Sequence, residues 1–241
     1  MSTAPYNDIA DWYDEYTRER PIYHEVVMPG IFKLMPDIRG QAVCDLACGT
    51  GLLSRELAKR EAQVTGVDLA EKMLEVARRH EEAEPLGIRY LQDNAHTLAR
   101  LPDAGFDGAT CSMGLMNITD LRAAFRALRR VLKSGGWFVF SITHPCFETP
   151  GARWVDTANG TIGREVTGYF RERLWQSVNP EGVRGRVAEH HRMLSTYVNT
   201  LIDAGFVLER LSEPQATDRR AEQVPGTREI PTILLMRART I

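Results

Sequence analysis

An aspartate followed by a run of small residues could bind a nucleotide-like ligand. The segment VCDLACGTGLLSREL, residues 43–57, predicts an apolar strand that ends at Asp45, a turn with Gly49 and Gly51, and the start of a helix. Small residues let the backbone of such a turn approach a ligand, and the first N–H groups of the helix are free to donate hydrogen bonds. A second acid, Asp68, ends the next strand seventeen residues beyond Gly51, where a carboxylate in such folds binds the ribose hydroxyls.

The turn distinguishes two classes of cofactor. In the dinucleotide pattern G-x-G-x-x-G, Ser54 takes the place of the third glycine here. Asp45, directly before the turn, suits a cationic ammonium group and is a poor neighbour for a pyrophosphate. S-adenosylmethionine carries an ammonium, a carboxylate and a ribose and has no phosphate, so the turn fits it better than NAD. A dehydrogenase is therefore the least favoured enzyme.

Strands and helices alternate around this turn. Five strands are predicted from the runs AVCDL, QVTGVDL, IRYLQ, FDGATCSM and WFVFSIT. The helix DLRAAFRALRRVLKSGG has apolar residues at helical spacing and is predicted to stop at Gly135 and Gly136. Two last strands, FVLERLSE and PTILLMRAR, are predicted to pair antiparallel at one edge. This order predicts an α/β fold with a doubly wound, mostly parallel seven-stranded sheet and an antiparallel edge strand, in a single domain over 1–241.

Composition restricts the classes of partner. The chain has 30 basic and 32 acidic residues, a formal charge of −2, which disfavours nucleic acid or an anionic membrane as the main partner. No run approaches the ~20 apolar residues of a membrane helix, and the acidic, aromatic N-terminus does not resemble a signal peptide. We therefore expect a cytoplasmic protein with reduced cysteines. The spacing of the four cysteines resembles no zinc site, so no metal is predicted.

The motifs resemble those of the class I S-adenosylmethionine-dependent methyltransferases. The resemblance covers nearly the whole chain and is most specific over residues 40–142. VCDLACGTG is similar to the family's first motif, which usually has glycine where Ala47 stands, and VTGVDLAEKMLEVAR to its second. QDNAHTL is similar to the third, in which an acid before an alanine binds the adenine amino group, and either Asp93 or Asn94 could do so here. FDGATCSMGLMNITDLRAAFRALRRVLKSGGWFVFS matches the fourth motif and the helix and strand after it.

This resemblance implies a Rossmann-like fold that binds S-adenosylmethionine and releases S-adenosylhomocysteine. Asp68 would bind the ribose and Leu69 would lie beside the adenine, whereas Ser112 and Met113 would approach the methionine portion of the cofactor. The family's ligand site lies beyond the carboxyl ends of the strands, at the topological switch point.

The N-terminal segment YNDIADWYDEYTRE resembles the family's helical lid, here residues 1–40. Tyr13 and Tyr16 would then lie near the sulfonium, because aromatic faces stabilise cations by ~0.5–2 kcal/mol. The complete set of residues expected to bind the cofactor is Tyr13, Tyr16, Asp45, Ala47, Cys48, Gly49, Gly51, Asp68, Leu69, Met73, Asp93, Asn94, Ala95, Ser112 and Met113.

Class I folds usually bind the acceptor with the lid and with insertions after strands four and five, which implies residues 5–24 and 143–195 here. His144 follows strand five directly and could take a proton from an attacking hydroxyl or amine, although a hydrogen-bonded structural histidine is the alternative. The insertion is rich in arginine, which hints at an acidic acceptor such as a carboxylate, or equally at a solvated face. Residues expected on the acceptor side are Trp12, Met116, His144, Trp154, Tyr169, Trp175 and His191.

These features together predict methyl transfer from S-adenosylmethionine to a small molecule by in-line displacement. Oxygen is the favoured acceptor atom, and nitrogen and carbon stay open. The adenine-methylating signature of Asn or Asp, Pro-Pro and an aromatic is absent after strand four, where SMGLMN stands, which disfavours a DNA acceptor. Two alternatives are an RNA or protein methyltransferase on the same fold and an S-adenosylmethionine-binding protein that transfers no methyl. We expect no membrane partner and a monomer or homodimer.

Overall fold

The structure is a computed structural model that describes residues 4–241. Residues 1–3, which belong to the predicted lid, lie outside the described residues. The strands are β1 (Ala42–Leu46), β2 (Gln63–Asp68), β3 (Arg89–Gln92), β4 (Phe106–Ser112), β5 (Leu132–Thr143), β6 (Arg153–Asp156), β7 (Ile162–Glu165), β8 (Arg173–Trp175), β9 (Glu189–His191), β10 (Phe206–Ser212) and β11 (Ile233–Thr240). The α-helices are α1 (Ala10–Glu19), α2 (Met28–Leu34), α3 (Leu52–Ala58), α4 (Glu71–Ala83), α5 (Leu121–Val131), α6 (Val183–Arg186), α7 (Leu194–Asp203) and α8 (Asp218–Gln223).

A seven-stranded sheet forms the centre of the molecule, with strand order β10-β11-β5-β4-β1-β2-β3. Strands β1 to β5 are parallel, and β11 runs antiparallel to both β5 and β10. The predicted fold class is confirmed, and the reversed strand lies next to the edge that β10 forms. The strand order reverses between β1 and β4, so the carboxyl ends of these two strands form the switch point where ligands bind.

Two apolar cores cover the two faces of the sheet. On one face, α5 and α7 bury Phe125 and Leu201 against the central strands. On the other face, α2, α3 and α4 pack against the sheet, with Leu57 fully buried. Because successive residues of a strand point to opposite faces, β1 places Cys44 in the first core and Val43 in the second. Apolar packing on both faces explains the near-continuous apolar runs of the parallel strands.

Helix α5 ends earlier than predicted. It begins after Asp120, whose Oδ1 accepts a hydrogen bond from the Ala123 backbone N–H at 3.0 Å and caps the helix. Its last residue is Val131, because Leu132 is already extended (φ −79°, ψ 142°) and starts β5. Gly135, with φ +75°, therefore lies within β5 and does not end the helix.

The N-terminal segment packs on the sheet's ligand edge. A 3₁₀ turn (Pro5–Ile9) leads into α1, which packs against α4. The Asp14 carboxylate in α1 accepts hydrogen bonds from the His80 ring in α4 at 3.0 Å. A π-helical turn (Ile22–Val27) then continues into α2. No helix within residues 4–241 is long and apolar enough to cross a membrane.

The insertion between β5 and α7 contains two small hairpins. β6 pairs with β7 and β8 pairs with β9, both antiparallel. β9 packs against a 3₁₀ turn (Leu115–Asn117) that follows β4, which brings the insertion to the carboxyl ends of the central strands. The sequence pattern did not predict these strands, because each has only three or four residues and none is strongly apolar.

Candidate active site

The turn after β1 has the backbone conformation that its small residues predicted. Gly49 and Gly51 lie in the left-handed region at φ +56° and +83°, and a Cβ on Gly51 would collide with the Tyr90 hydroxyl. Ala47 also has a left-handed φ of +53°. Glycine adopts this conformation without the steric penalty that a Cβ brings. This explains why the first motif of the class I methyltransferases usually has glycine at this position.

Asp68 at the end of β2 holds the turn in place. Its Oδ2 accepts a hydrogen bond from the Gly49 backbone N–H at 2.9 Å, and its Oδ1 accepts one from the Ala70 N–H at 2.9 Å. Burial raises the pKa of Asp68, and the backbone hydrogen bonds oppose that rise. Each oxygen keeps lone pairs toward the cavity, so the carboxylate can accept ribose hydroxyls while it orients the turn.

Asp45 lies beneath the turn and not on the wall of the large cavity described below. Its two oxygens accept hydrogen bonds from Ser54 Oγ at 2.6 Å and Thr110 Oγ1 at 2.8 Å, and the residue is 1% exposed. Burial raises its pKa to about 6, partly offset by the two hydroxyl hydrogen bonds. It borders a minor cavity of about 40 Å³, as Cys48 does. Asp45 therefore joins β1, α3 and β4, and its contact with an ammonium group stays a prediction.

A cavity of about 450 Å³ opens at the carboxyl ends of β1, β2 and β4, within the ~300–1,000 Å³ range of small-molecule sites. We call it the donor cavity. Most residues expected to bind the cofactor line it: Tyr13, Ala47, Gly49, Asp68, Leu69, Met73, Asp93, Asn94, Ala95, Ser112 and Met113. Gly51 does not line it and acts through the conformation of the turn instead. Tyr16 lines a neighbouring cavity.

Asp93 and Asn94 both border the donor cavity after β3. The Asp93 carboxylate accepts hydrogen bonds from the backbone N–H groups of Asn94 and Arg100, both at 2.7 Å. The Asn94 Oδ1 accepts one from the His96 N–H at 2.9 Å. Both side chains therefore shape the loop, and both keep hydrogen-bonding capacity for an adenine.

A second cavity, of about 440 Å³, adjoins the first and is called the acceptor cavity here. The two cavities share Tyr6, Tyr13, Met113 and Asn117. The rings of Tyr6 and Tyr13 meet edge to face with centroids 5.6 Å apart. Burial raises the pKa of both tyrosines, so they stay neutral phenols. Molecules in the two cavities would therefore meet at an aromatic wall.

The acceptor cavity also has a charged side. Glu148 accepts hydrogen bonds from Arg164 at 2.7 Å and Arg184 at 3.1 Å. Glu189 in β9 lies 3.7 Å from Arg184 and is 6% exposed. Burial raises the pKa of Glu189 to about 7, opposed by Arg184 and reinforced by Glu148. A carboxyl group with this pKa can exchange a proton near neutral pH. Arg220 lines the same cavity.

His144 does not have the position expected of a base. It is 2% exposed and lines neither the donor nor the acceptor cavity. Its Nδ1 accepts a hydrogen bond from the Cys146 backbone N–H at 3.2 Å, and its Nε2 lies 2.7 Å from the Glu213 carboxylate. Both ring nitrogens therefore have partners, and the structural alternative describes this histidine better.

Several other residues expected on the acceptor side support the insertion. His191 lies in β9, and its Nε2 donates a hydrogen bond to the Tyr169 carbonyl at 2.8 Å. Trp12 packs against the Tyr16 ring of the same helix at a tilt of 31°, with ring centroids 4.7 Å apart. Trp175 lies outside both cavities, opposite Glu189 in the β8–β9 hairpin. None of these three predicted residues, nor Tyr169, borders the acceptor cavity, whereas Met116 and Trp154 do.

The residues that sequence reasoning missed come from two places. Tyr6 and Asn117 belong to the quoted segments YNDIADWYDEYTRE and SMGLMN, so the motifs pointed near them without singling them out. Glu189 and Arg220 come from segments without any recognisable motif. Both line the acceptor cavity because the hairpins of the insertion and α8 border the same space.

Comparison with known proteins agrees with this geometry. A family model described as a methyltransferase domain matches residues 44–140. The crystal structure of an S-adenosylmethionine-dependent methyltransferase from Mesorhizobium loti is 31% identical, covers 92% of this chain and 99% of its own, and superimposes with a TM-score of 0.76. The chain therefore belongs to the S-adenosylmethionine-dependent methyltransferases.

Curated relatives match at lower coverage or without a named activity. A ubiquinone biosynthesis O-methyltransferase from Albidiferax ferrireducens is 36% identical over 142 residues, which are 57% of this chain and 56% of that protein. The chain spans about half the length of this and the next such relative. An uncharacterized protein from Haemophilus influenzae is 29% identical over 93% of this chain and 91% of its own.

S-adenosylmethionine is the cofactor of this family, and the donor cavity fits it. The Asp68 carboxylate suits the ribose, and Asp93 or Asn94 suits the adenine amino group. The rings of Tyr6 and Tyr13 suit a sulfonium cation. Among the described residues, the buried Oδ1 of Asn117 has no hydrogen-bond partner, although it belongs to the wall that both cavities share.

Proposed function

We propose that this protein transfers a methyl group from S-adenosylmethionine to an oxygen atom of a small molecule in the acceptor cavity. The observation that carries the proposal is the shared wall of Tyr6, Tyr13, Met113 and Asn117 between two cavities of nearly equal size. A donor in one cavity and an acceptor in the other can react only where the cavities meet. The acceptor cavity has the size of a small-molecule site, which favours a metabolite over RNA or protein.

The name of the relatives supports oxygen as the acceptor atom. Two relatives that match 57% of the chain are called ubiquinone biosynthesis O-methyltransferases. Glu189 supports the same choice, since a hydroxyl group must lose its proton during transfer. A carboxyl group with a pKa of about 7 can take that proton at neutral pH.

The proposed reaction divides its tasks among a few side chains. When bound, S-adenosylmethionine supplies a methyl group that its sulfonium activates for displacement. Tyr6 and Tyr13 stabilise the positive charge with their rings and exclude water. The acceptor oxygen forms a bond to the methyl carbon as the carbon–sulfur bond breaks, and Glu189 takes the hydroxyl proton. S-adenosylhomocysteine and the methylated product then leave, so that charge and atoms balance.

We further assign the role of a lid to residues 1–40 and that of the acceptor side to residues 143–195. Tyr13 from the first segment and Trp154 from the second both border the acceptor cavity, which supports this division. The proposed enzyme acts in the cytoplasm as a monomer or homodimer. Its near-neutral charge supports a small-molecule partner over nucleic acid.

The test combines cofactor binding with an acceptor screen. Calorimetry measures binding of S-adenosylmethionine, S-adenosylhomocysteine and NAD, and mass spectrometry then follows methylated products from panels of phenols, catechols, hydroxy acids and amines. We expect binding of the first two ligands and methylation of a hydroxyl compound. Cofactor binding without transfer to any acceptor would favour the non-methylating alternative. Transfer only to RNA or protein would also refute the proposal, and NAD binding alone would contradict the whole reading of the turn.

A further inference from the structure

Arg220 is an arginine on the wall of the acceptor cavity. It lies in α8, and its Nε is buried. Within residues 4–241, no hydrogen bond or ion pair is found for its guanidinium, and the Nε is one of the few buried polar atoms left unsatisfied. Burial and the positive charge of Arg20 lower the pKa of Arg220, and Tyr16 and Glu148 only partly oppose this. The fold therefore holds a guanidinium where its charge is poorly stabilised by the protein itself.

The other charges of the cavity are already engaged with one another. Arg164 contacts Glu148 at 2.7 Å and donates from Nε to the Phe147 carbonyl at 2.9 Å. Arg184 contacts Glu148 at 3.1 Å and lies 3.7 Å from Glu189. Three guanidinium groups thus face two carboxyl groups, one of which, Glu189, is partly protonated near neutral pH. The cavity has an excess of positive charge, and Arg220 carries it.

We infer that the acceptor molecule carries a carboxylate, separate from the atom that is methylated, and that Arg220 binds this group. This inference rests on the proposed function, because it assigns a substrate class to the same cavity. A planar carboxylate matches the paired N–H groups of a guanidinium, and Arg220 lines the cavity in which the carboxylate would lie. Because Arg220 is one arginine without an ion pair among the described residues, we infer one carboxylate on the acceptor.

The rest of the cavity wall indicates what the carboxylate is attached to. Tyr16, Tyr23 and Trp154 line the same space as Arg220. These rings suit an apolar or aromatic body between the anchored carboxylate and the reacting hydroxyl. The inferred substrate class is therefore a hydroxylated aromatic or apolar monocarboxylic acid.

The experiment compares carboxylates with their neutral amides. The complete chain, saturated with S-adenosylhomocysteine, is titrated by calorimetry with a panel of hydroxylated aryl and alkyl monocarboxylic acids and with the matching amides. The same titrations are repeated with Arg220→Gln and Arg220→Lys. Arg219→Gln is the matched control, because it removes the same charge from the same helix at an exposed position. Affinity for S-adenosylhomocysteine is measured for every variant and shows whether the fold is intact.

We expect at least one acid to bind roughly 10- to 100-fold more tightly than its amide. This preference should disappear in Arg220→Gln, shrink in Arg220→Lys and persist in Arg219→Gln. A preference that survives Arg220→Gln, or a panel in which no acid binds better than its amide, would overturn the inference even if methyl transfer is found. If S-adenosylhomocysteine does not bind, the proposed function itself fails, which is a separate result. Acid binding that depends on Arg220 supports the inference whether or not the acid is methylated.

Discussion

Replacing Glu189 by glutamine should stabilise the protein at alkaline pH. The carboxyl group is 6% exposed, and burial raises its pKa to about 7 from the ordinary value of 4.5. The folded state therefore binds this proton more tightly than the unfolded state does. As pH rises from 4.5 to 7, the unfolded chain gives up the proton first, and the free energy of unfolding falls. Above pH 7 the loss is complete.

The size of the effect follows from the two pKa values. The difference between 4.5 and about 7, at 1.36 kcal/mol per pKa unit, corresponds to about 3 kcal/mol. Glutamine keeps the shape and can still form hydrogen bonds, but it carries no charge at any pH. The gain of Glu189→Gln over the wild type should therefore be absent near pH 4.5 and reach about 3 kcal/mol at pH 8. Arg184, which lies 3.7 Å away, keeps its contact with Glu148 in the variant.

The assay is urea unfolding, followed by circular dichroism, at several pH values from 4.5 to 8.5. Glu181→Gln provides the control, since it makes the same chemical change at an exposed position of the same insertion and should shift stability by less than about 0.5 kcal/mol. In parallel, kcat/KM for an identified acceptor, which reports ionisation of the free enzyme, should rise with an apparent pKa near 7 in the wild type and lose this rise in Glu189→Gln. A difference in stability between Glu189→Gln and wild type that does not change with pH would refute the reasoning.

Three further substitutions test other parts of the structure. Asp68→Asn should weaken S-adenosylhomocysteine binding by about 100-fold in calorimetry, because hydrogen bonds to a charged group contribute about 1.5–3 kcal/mol each, and unchanged affinity would contradict the ribose assignment. Gly108→Ala should destabilise the fold by about 2 kcal/mol or more in urea unfolding, because its Cβ would collide with the Trp137 ring; the second substitution Trp137→Phe should recover part of the loss. His144→Gln should lower stability by about 1–3 kcal/mol through its bond to Glu213 and leave kcat within about two-fold, whereas a large fall in kcat would restore the role of a base to this histidine.

The strands and helices of the central sheet could be predicted, because the spacing of their apolar residues matches the faces that the fold buries. Strands buried on both faces give continuous apolar runs, and β1 and β5 were recognised for that reason. The turn after β1 was recognised because close approach to a ligand demands small residues. Asp68 borders the donor cavity as expected, since its position at the end of β2 fixes which edge of the sheet it occupies. The hydrogen bonds of Asp45 to Ser54 and Thr110 could not be predicted, because a carboxylate before the turn can face the ligand or the interior, and spacing does not distinguish the two.

The structure of the insertion could not be predicted from the periodicity of its sequence. Its strands have three or four residues and are partly exposed, so they leave no period in the sequence. Glu189 and Arg220 lie far apart in the chain, and both acquire their properties from burial in a shared cavity. His144 was singled out because it directly follows β5, yet the side chain turns to Glu213 and away from the cavities. Position along a strand predicts an edge of the sheet but not the direction of a side chain beyond it.

The electrostatics of the acceptor cavity make sense only with both reactants present. Without them, Arg220 has no ion-pair partner among residues 4–241, and Glu189 holds a proton that an ordinary glutamate would release. A carboxylate on the acceptor would compensate the first, and the sulfonium of the cofactor, just across the shared wall, would favour the ionised form of the second. The cavity would thus reach its catalytic charge state only when donor and acceptor are both bound. Binding of the donor would favour the ionised form of Glu189, and binding of the acceptor would then compensate the charge of Arg220.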